Sequence, residues 1–395
     1  MGQTGGTKRQ RGGHAGQNIL SLPFRISDIV CIFLPKGCLT ALRSIQRISS
    51  AYLCCVALLW CCSCAKAGLI GNLSYSPQIS DPLAAYALTG QTSPVLDPSI
   101  IRQGSTYYAF STDVAGSSSF GSLPIHCSQD KINWTQCGSV FPAGAPGWVA
   151  DKVPGVTRLW APDISHFNGE YHIYYNGSKL GSQQTVIGLA TNSTLDRTDA
   201  AYEWVDRGLV LESKNGDDFN ALDPNIFIDS DASIWLTYGS YWSGIKQRQI
   251  DPATGLLLAA NLTRYDLATR PGVPDDAIEA ASLIRHGGYY YLFVSVDHCC
   301  EPTTAQDDYK EAVGRSTSPH GPFVDEAGTP MMNGGGTVLL KGNGVWNAPG
   351  GGTAYIDADS GICVLIFHAQ DLSQSGTPHV WVKLLQWIED WPAFV

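Results

Sequence analysis

Along the chain, short apolar runs alternate with polar turns, and one pattern of this kind recurs. Residues 95–112, "VLDPSIIRQGSTYYAFST", hold an apolar run, a Gly-centred turn and a second run rich in aromatic residues, which predicts a β-hairpin. The same outline returns in "WAPDISHFNGEYHIYYNGS" (160–178), "LDPNIFIDSDASIWLTYGS" (222–240) and "IEAASLIRHGGYYYLFVSV" (278–296), and in degenerate form in "APGGGTAYIDADSGICVLIFHAQ" (348–370). Their heads are Asp97, Ala161, Asp223, Glu279 and the Pro349 region, spaced by 64, 62, 56 and about 70 residues. A loose period of this size in an all-β chain predicts a five-bladed β-propeller whose first strand in each blade lines the axis. Composition agrees: the 395 residues include 42 Gly, 22 Pro, 17 Tyr and 11 Trp, with only 15% charged, which favours short strands and tight turns over helix bundles.

The first 67 residues have a different pattern. Residues 48–65, "ISSAYLCCVALLWCCSCA", carry no charge, follow Arg43 and Arg47, and lead into Ala65-Lys66-Ala67, as in a secretory signal with cleavage after Ala67. An uncleaved anchor is the rival reading, but the run is short for a span and diluted by serine. The expected organisation is therefore an amino-terminal extension and signal peptide over 1–67 and a propeller over 68–395, secreted and extracellular, with no stable membrane association.

Charge follows the same division. Residues 1–67 have eight basic residues and one acid, so the remainder, 17 basic against 34 acidic, stands at −17. An acidic body repels phosphate backbones, which excludes nucleic acid as the expected partner. Seven of the 12 cysteines lie in the leading segment. Of the others, Cys127 and Cys137 bracket a hairpin-length loop and are expected to pair in an oxidising compartment. Cys299 and Cys300 are neighbours, able to join only through a strained ring, and Cys363 in "GICVLIF" is expected to be a buried thiol. No Cys/His spacing resembles a zinc site. Sequons at Asn72, Asn133, Asn176, Asn192 and Asn261 are compatible with secretion.

Three of the repeat heads are acids: Asp97, Asp223 and Glu279. For a single copy, Asp-Pro as a strand starter is explanation enough. Three acids converging on one end of an axis raise one another's pKa and are poorly solvated there, which argues for use in chemistry.

Together "VLDPSI", "LWAPDI", "NALDPNIF", "YGSYWSGI", "IEAASLI" and "VGRSTSPHGPFVDEAGTPMMNGGGTVLL" resemble the endo-1,5-α-L-arabinanases of glycoside hydrolase family 43, from roughly residue 80 to the carboxyl end. The resemblance implies a five-bladed propeller and hydrolysis of internal α-1,5-L-arabinofuranosidic bonds of arabinan, a pectin polysaccharide of plant cell walls, with inversion at the sugar. It implies that Asp97 is the general base, Glu279 the general acid and Asp223 the carboxylate that tunes and orients the acid. Trp160 and Trp242 are candidate sugar platforms, with packing between blades as the other reading, and Asn220 and Ser240 are candidate donors to the ligand. Asp163 is expected to be a structural acceptor. Where the family has His before the base, this chain has Leu96; where it has an axial, metal-holding His, this chain has Gly351. His368 matches a family histidine, or is a packed core residue. No cofactor is expected, and the missing axial His counts against a structural calcium. A monomer acting on arabinan is expected, with three alternatives: an exo-acting arabinofuranosidase or xylosidase, a fructan hydrolase, or a non-catalytic sugar-binding propeller.

Overall fold

The computed structural model describes residues 74–75, 81–114, 120–300 and 308–394. The expected targeting segment and the Asn72 sequon lie outside them. Five antiparallel sheets follow one another along the chain as the five blades of a propeller. In chain order, the inner strands are Ser99–Gln103 (blade I), Trp160–Phe167 (II), Asn225–Ile228 (III), Ile278–His286 (IV) and Trp346–Ile356 (V). Each pairs with the next strand through a tight hairpin, and the inner strands touch in a closed ring from I to V and back to I. Each blade adds two more strands outward. Two extra strands join edges in parallel, Thr89–Gly90 on blade I and Ser74–Tyr75 on blade IV.

Apolar side chains packed between the sheets form the core; Phe110, Tyr175, Phe293 and Phe367 all come from second strands and are fully enclosed. Blades V and I meet without a shared sheet. The segment entering blade I lies along the third strand of blade V, with Val95 N–H donating to Pro378 O (3.0 Å) and Val380 N–H to Thr92 O (2.9 Å). Buried Asp357 of the blade V turn accepts from Arg102 (3.2 Å) and Tyr107 (2.8 Å) of blade I.

A repeated backbone feature sits at the head of every blade. Asp97, Ala161, Asp223, Ala280 and Ala348 have φ of 46°, 39°, 55°, 50° and 46°, a left-handed conformation that disfavours any side chain. The next residue is Pro98, Pro162, Pro224, Ala281 and Pro349 in turn. Because alanine adopts the kink in three blades, it belongs to the architecture rather than to the chemistry. The kinks also correct the repeat alignment: the equivalent of Asp97 and Asp223 in blade IV is Ala280. Glu279 stands one position earlier, level with Leu96, Trp160 and Leu222.

Two residues past the kink in each of the first four blades, a polar side chain ties the blade to the next. Ser99 Oγ accepts from Ile164 N–H (3.1 Å), Asp163 Oδ2 from Ile226 N–H (2.8 Å), Asn225 Oδ1 from Leu283 N–H (2.9 Å) and Ser282 Oγ from Ala354 N–H (3.0 Å). Blade V has Gly350 at this position, where a Cβ would come within 2.4 Å of the Tyr309 ring. Asp163 also accepts from Ser99 Oγ (3.2 Å) and Asn225 Nδ2 (3.1 Å), so it joins blades I, II and III in the structural role expected of it.

Cys127 and Cys137 form a disulfide between the two outer antiparallel strands of blade I, and Cys299 and Cys300 form one between neighbours. Cys363 is a buried thiol whose pKa is pushed up to about 12 by burial. Asn176 and Asn192 are enclosed, which leaves no room for a glycan on either in the folded chain.

Candidate active site

The kinked heads surround a pit on the axis, lined by Asp97, Ala161, Asp223, Ala280, Gly351 and Gly352 among others. The backbone at the heads of blades I, II and III is held by the preceding blade, through a polar side chain near the end of that blade's second strand, and in blade V the same device holds Gly351, three residues past the kink. Thr112 Oγ1 accepts Ala161 N–H (2.7 Å), Asn176 Oδ1 accepts Asp223 N–H (2.9 Å), and Ser295 Oγ accepts Gly351 N–H (2.9 Å). His368 of blade V closes the cycle, with Nδ1 accepting Asp97 N–H (3.2 Å). It is therefore not a passive core residue. It seats the first acid.

Each acid is held differently. Asp97 Oδ2 accepts from Thr112 Oγ1 (2.7 Å), and its Oδ1 is 3.5 Å from His368 Nδ1. Burial pushes its pKa up to about 6, with the Thr112 hydroxyl acting the other way. Asp223 Oδ2 accepts Ala280 N–H (2.9 Å), so the carboxylate of blade III orients the backbone next to Glu279. Its pKa lies well above the usual carboxylate range, through burial first, then the charge of Glu279, then that of Asp97. Glu279 accepts from Ser240 Oγ (2.7 Å) and Tyr309 Oη (2.8 Å), one on each oxygen. Burial raises its pKa, the two hydroxyls pull it down, and Asp97 pushes it up again, for a net rise. Burial first, and then the charges of Glu279, Asp223 and Asp97, raise the pKa of Tyr309 and keep its hydroxyl protonated as a donor. The three acids predicted from the repeats thus meet at one place and hold protons more tightly than free carboxyls.

The other predicted residues divide. Ser240 is buried and its hydroxyl engages Glu279, which makes it a support for the acid rather than a free donor at the wall. Asn220 is 2% exposed and accepts from Ser213 Oγ (3.4 Å). Trp160 is half-buried at the position of blade II that Glu279 takes in blade IV, and Trp242 is 40% exposed after the second strand of blade III. Tyr309 and Thr112 were missed from the sequence, since neither stands at a head, although Thr112 ends the second run of its hairpin as Asn176 and Ser240 do in theirs.

At Gly351, a Cβ would approach Asp97 Oδ1 to 2.5 Å and His368 Nδ1 to 2.8 Å. No side chain fits where the resemblance puts a metal-holding His, so the residues present do not supply that ligand for calcium.

A family model described as Glycosyl hydrolases family 43 matches residues 92–392, which takes in all five blades. The chain belongs to glycosyl hydrolases family 43. It is therefore a glycoside hydrolase, and the non-catalytic reading falls. Among curated relatives of this family 43 chain, Extracellular endo-alpha-(1->5)-L-arabinanase 1 of Bacillus subtilis is 37% identical over 313 residues, covering 79% of this chain and 91% of its own. Extracellular exo-alpha-(1->5)-L-arabinofuranosidase ArbA of Cellvibrio japonicus is 33% identical over 320 residues, covering 78% and 88%. Among solved structures, the GH43 endo-arabinanase from Bacillus licheniformis superimposes with a TM-score of 0.69 at 38% identity, over 78% of this chain and all (100%) of that one.

Proposed function

We propose that this chain is a secreted endo-1,5-α-L-arabinanase that inverts the anomeric centre, with Asp97 as general base, Glu279 as general acid and Asp223 as the carboxylate that keeps Glu279 protonated. One observation carries the reading. Acids from blades I and III line one pit, and Glu279 of blade IV, next to the pit-lining Ala280, lies within reach of their charges; it is clasped by two hydroxyls, while the acid on blade I is seated by a histidine. Carboxyl groups on blades I and IV stand across an axis rather than side by side, which leaves room for a water between base and anomeric carbon.

In this scheme Asp97, ionised above about pH 6, takes a proton from water on one face of the sugar. Glu279 gives its proton to the leaving oxygen on the other face. Asp223 and Glu279 are close enough to repel when both are ionised, which raises the pair's hold on a proton and favours one carboxyl of the two staying protonated. Asp223 also holds the Ala280 amide, so charge and orientation come from one side chain.

Arabinan as substrate and an extracellular place of action rest on the names of the relatives, two of which are called extracellular. No helix among the described residues is long and apolar enough to cross a membrane. A monomer, needing no cofactor, completes the reading. The exo-acting alternative is kept because of the similarity to the Cellvibrio enzyme. Incubation with linear 1,5-arabinan decides between them: short oligosaccharides early in the reaction support endo action, and monomer alone from the first minutes overturns it. Proton NMR of fresh product should show the β-anomer before mutarotation, whereas initial α-product would refute the roles given to Asp97 and Glu279.

A further inference from the structure

Cys299, Cys300 and His368 bring two sulfurs and an imidazole nitrogen together, all within 4.8 Å of one another, on the side of His368 away from the base. Cys299 Sγ is 3.5 Å from His368 Nε2. That separation is the one a tetrahedral ion sets between its ligands, since bonds of about 2.3 Å to sulfur and about 2.0 Å to nitrogen put the two about 3.5 Å apart. In the structure the sulfurs are joined as a disulfide, with Cys300 at the surface and Cys299 half-buried. We propose that reduction of Cys299–Cys300 opens a site for a soft divalent cation of the zinc or cadmium class, held by both thiolates and His368 Nε2, and that its occupation switches off hydrolysis through the opposite edge of the same imidazole.

The coupling follows from the proton on the ring. A backbone N–H can only donate, so His368 Nδ1, which receives Asp97 N–H, carries no hydrogen; in the neutral ring the proton is on Nε2, facing Cys299. A cation needs the Nε2 lone pair. Its binding moves the ring proton to Nδ1, where it opposes the Asp97 N–H and points instead at Asp97 Oδ1, 3.5 Å away. The base thereby loses the contact that seats its backbone and gains a donor on its carboxylate, which makes it a weaker base. Gly351 leaves no spare volume for His368 to evade this, since the ring and Asp97 already occupy the space a Cβ would need.

The steps balance. A thiol reductant supplies two electrons and two protons, breaks the S–S bond and leaves as its own disulfide. The cation then displaces the two thiol protons to solvent, while the imidazole keeps one proton and only changes the nitrogen that bears it.

The switching half of this proposal rests on the hydrolase reading, and the binding half does not. The test reduces the whole protein with a phosphine, removes the excess, and titrates with Cd2+ while following the ultraviolet thiolate-to-metal absorption and arabinan hydrolysis side by side. The expected result is one Cd2+ per reduced chain, a fall in hydrolysis of more than about tenfold, and recovery on chelation. Untreated protein should show neither effect, and Cys299→Ser/Cys300→Ser taken through the same reduction should lose both while keeping its untreated activity. That variant retains Cys127–Cys137, so a response shared with it would belong to the other disulfide and overturn the proposal. Absence of the absorption band in reduced protein would overturn it as well, and so would a full band with unchanged hydrolysis. Absence of hydrolysis before any treatment would instead sink the functional reading, and the absorption titration would still report on the metal site.

Discussion

Two rings of polar side chains encircle the axis of this propeller two residues apart, and they have opposite characters. The ring at the kinks and beside them holds Asp97, Asp223 and Glu279. The ring below holds Ser99, Asp163, Asn225 and Ser282. Both contain carboxylates with raised pKa, buried in the lower ring and half-buried in the upper; Asp163 is pushed up by burial to about 7, higher than Asp97. What separates them is where the donors come from. Asp163 receives a backbone N–H, an amide and a hydroxyl from the blades on either side, all of them fixed by the fold. Asp97 receives one hydroxyl on its carboxylate and leaves the rest of that group facing the pit. A raised pKa therefore does not by itself mark a catalytic group; unspent hydrogen-bonding capacity beside open volume does.

If the two rings differ in this way, substitutions should divide cleanly between activity and stability. The largest effect is expected in the upper ring. Asp97→Asn should lower kcat on arabinan by about three orders of magnitude and be equally poor on aryl arabinosides, because water lacks its base. Glu279→Gln should be as inactive on arabinan but retain much more activity on an aryl substrate whose leaving group needs little protonation. Thermal melts of both should match or exceed the parent, since each removes a half-buried ionisable group with a raised pKa. A melt lowered as far as activity would erase the distinction between the rings.

In the lower ring, Asp163→Ala leaves the Ile226 N–H and the Asn225 amide without their acceptor inside the protein. The expected cost is about 3 kcal/mol of unfolding free energy in urea titration, with kcat/KM per folded molecule changed only a few-fold. Large loss of activity without loss of stability would move Asp163 into the machinery.

A smaller effect sharpens the roles within the upper ring. The pH profile of kcat/KM should rise through about 6 as Asp97 ionises and fall where the Asp223 and Glu279 pair gives up its proton. Asp223→Asn keeps an acceptor for Ala280 N–H but removes a negative charge, so Glu279 ionises more readily and the basic limb should move to lower pH. An unmoved limb would show that Asp223 orients without tuning.

Much of this was legible in the sequence because the repeat is written at strand level. The hairpin outline recurs five times, and the acids fall in it at Asp97, Asp223 and Glu279. The pairing of Cys127 with Cys137 and the burial of Cys363 needed only local pattern, and the convergence of the three acids needed the repeat. Reading Glu279 as the exact equivalent of Asp97 was off by one, because composition cannot reveal which residue of "IEAAS" takes the left-handed kink. The alanine there marks the architectural position, and the glutamate before it comes within reach of the Asp223 charge.

Other features had no local signal at all. Ser240 looked like a free donor, and only packing shows its hydroxyl turned to Glu279. Tyr309 lies 30 residues from the acid that it clasps, and Cys299 lies 69 residues from His368. Tyr309 reaches Glu279 from just before the third strand of the same blade, whereas the Ser240–Glu279 and Cys299–His368 contacts bring the end of one second strand against the neighbouring blade, and the closure of the ring returns His368 to Asp97. Periodicity along one strand determined which residues face the axis, since alternation of side chains is a property of the strand alone. Which of those residues touch, and whether a carboxylate there is spent on the fold or left for chemistry, was decided by contacts between blades that only the closed propeller makes.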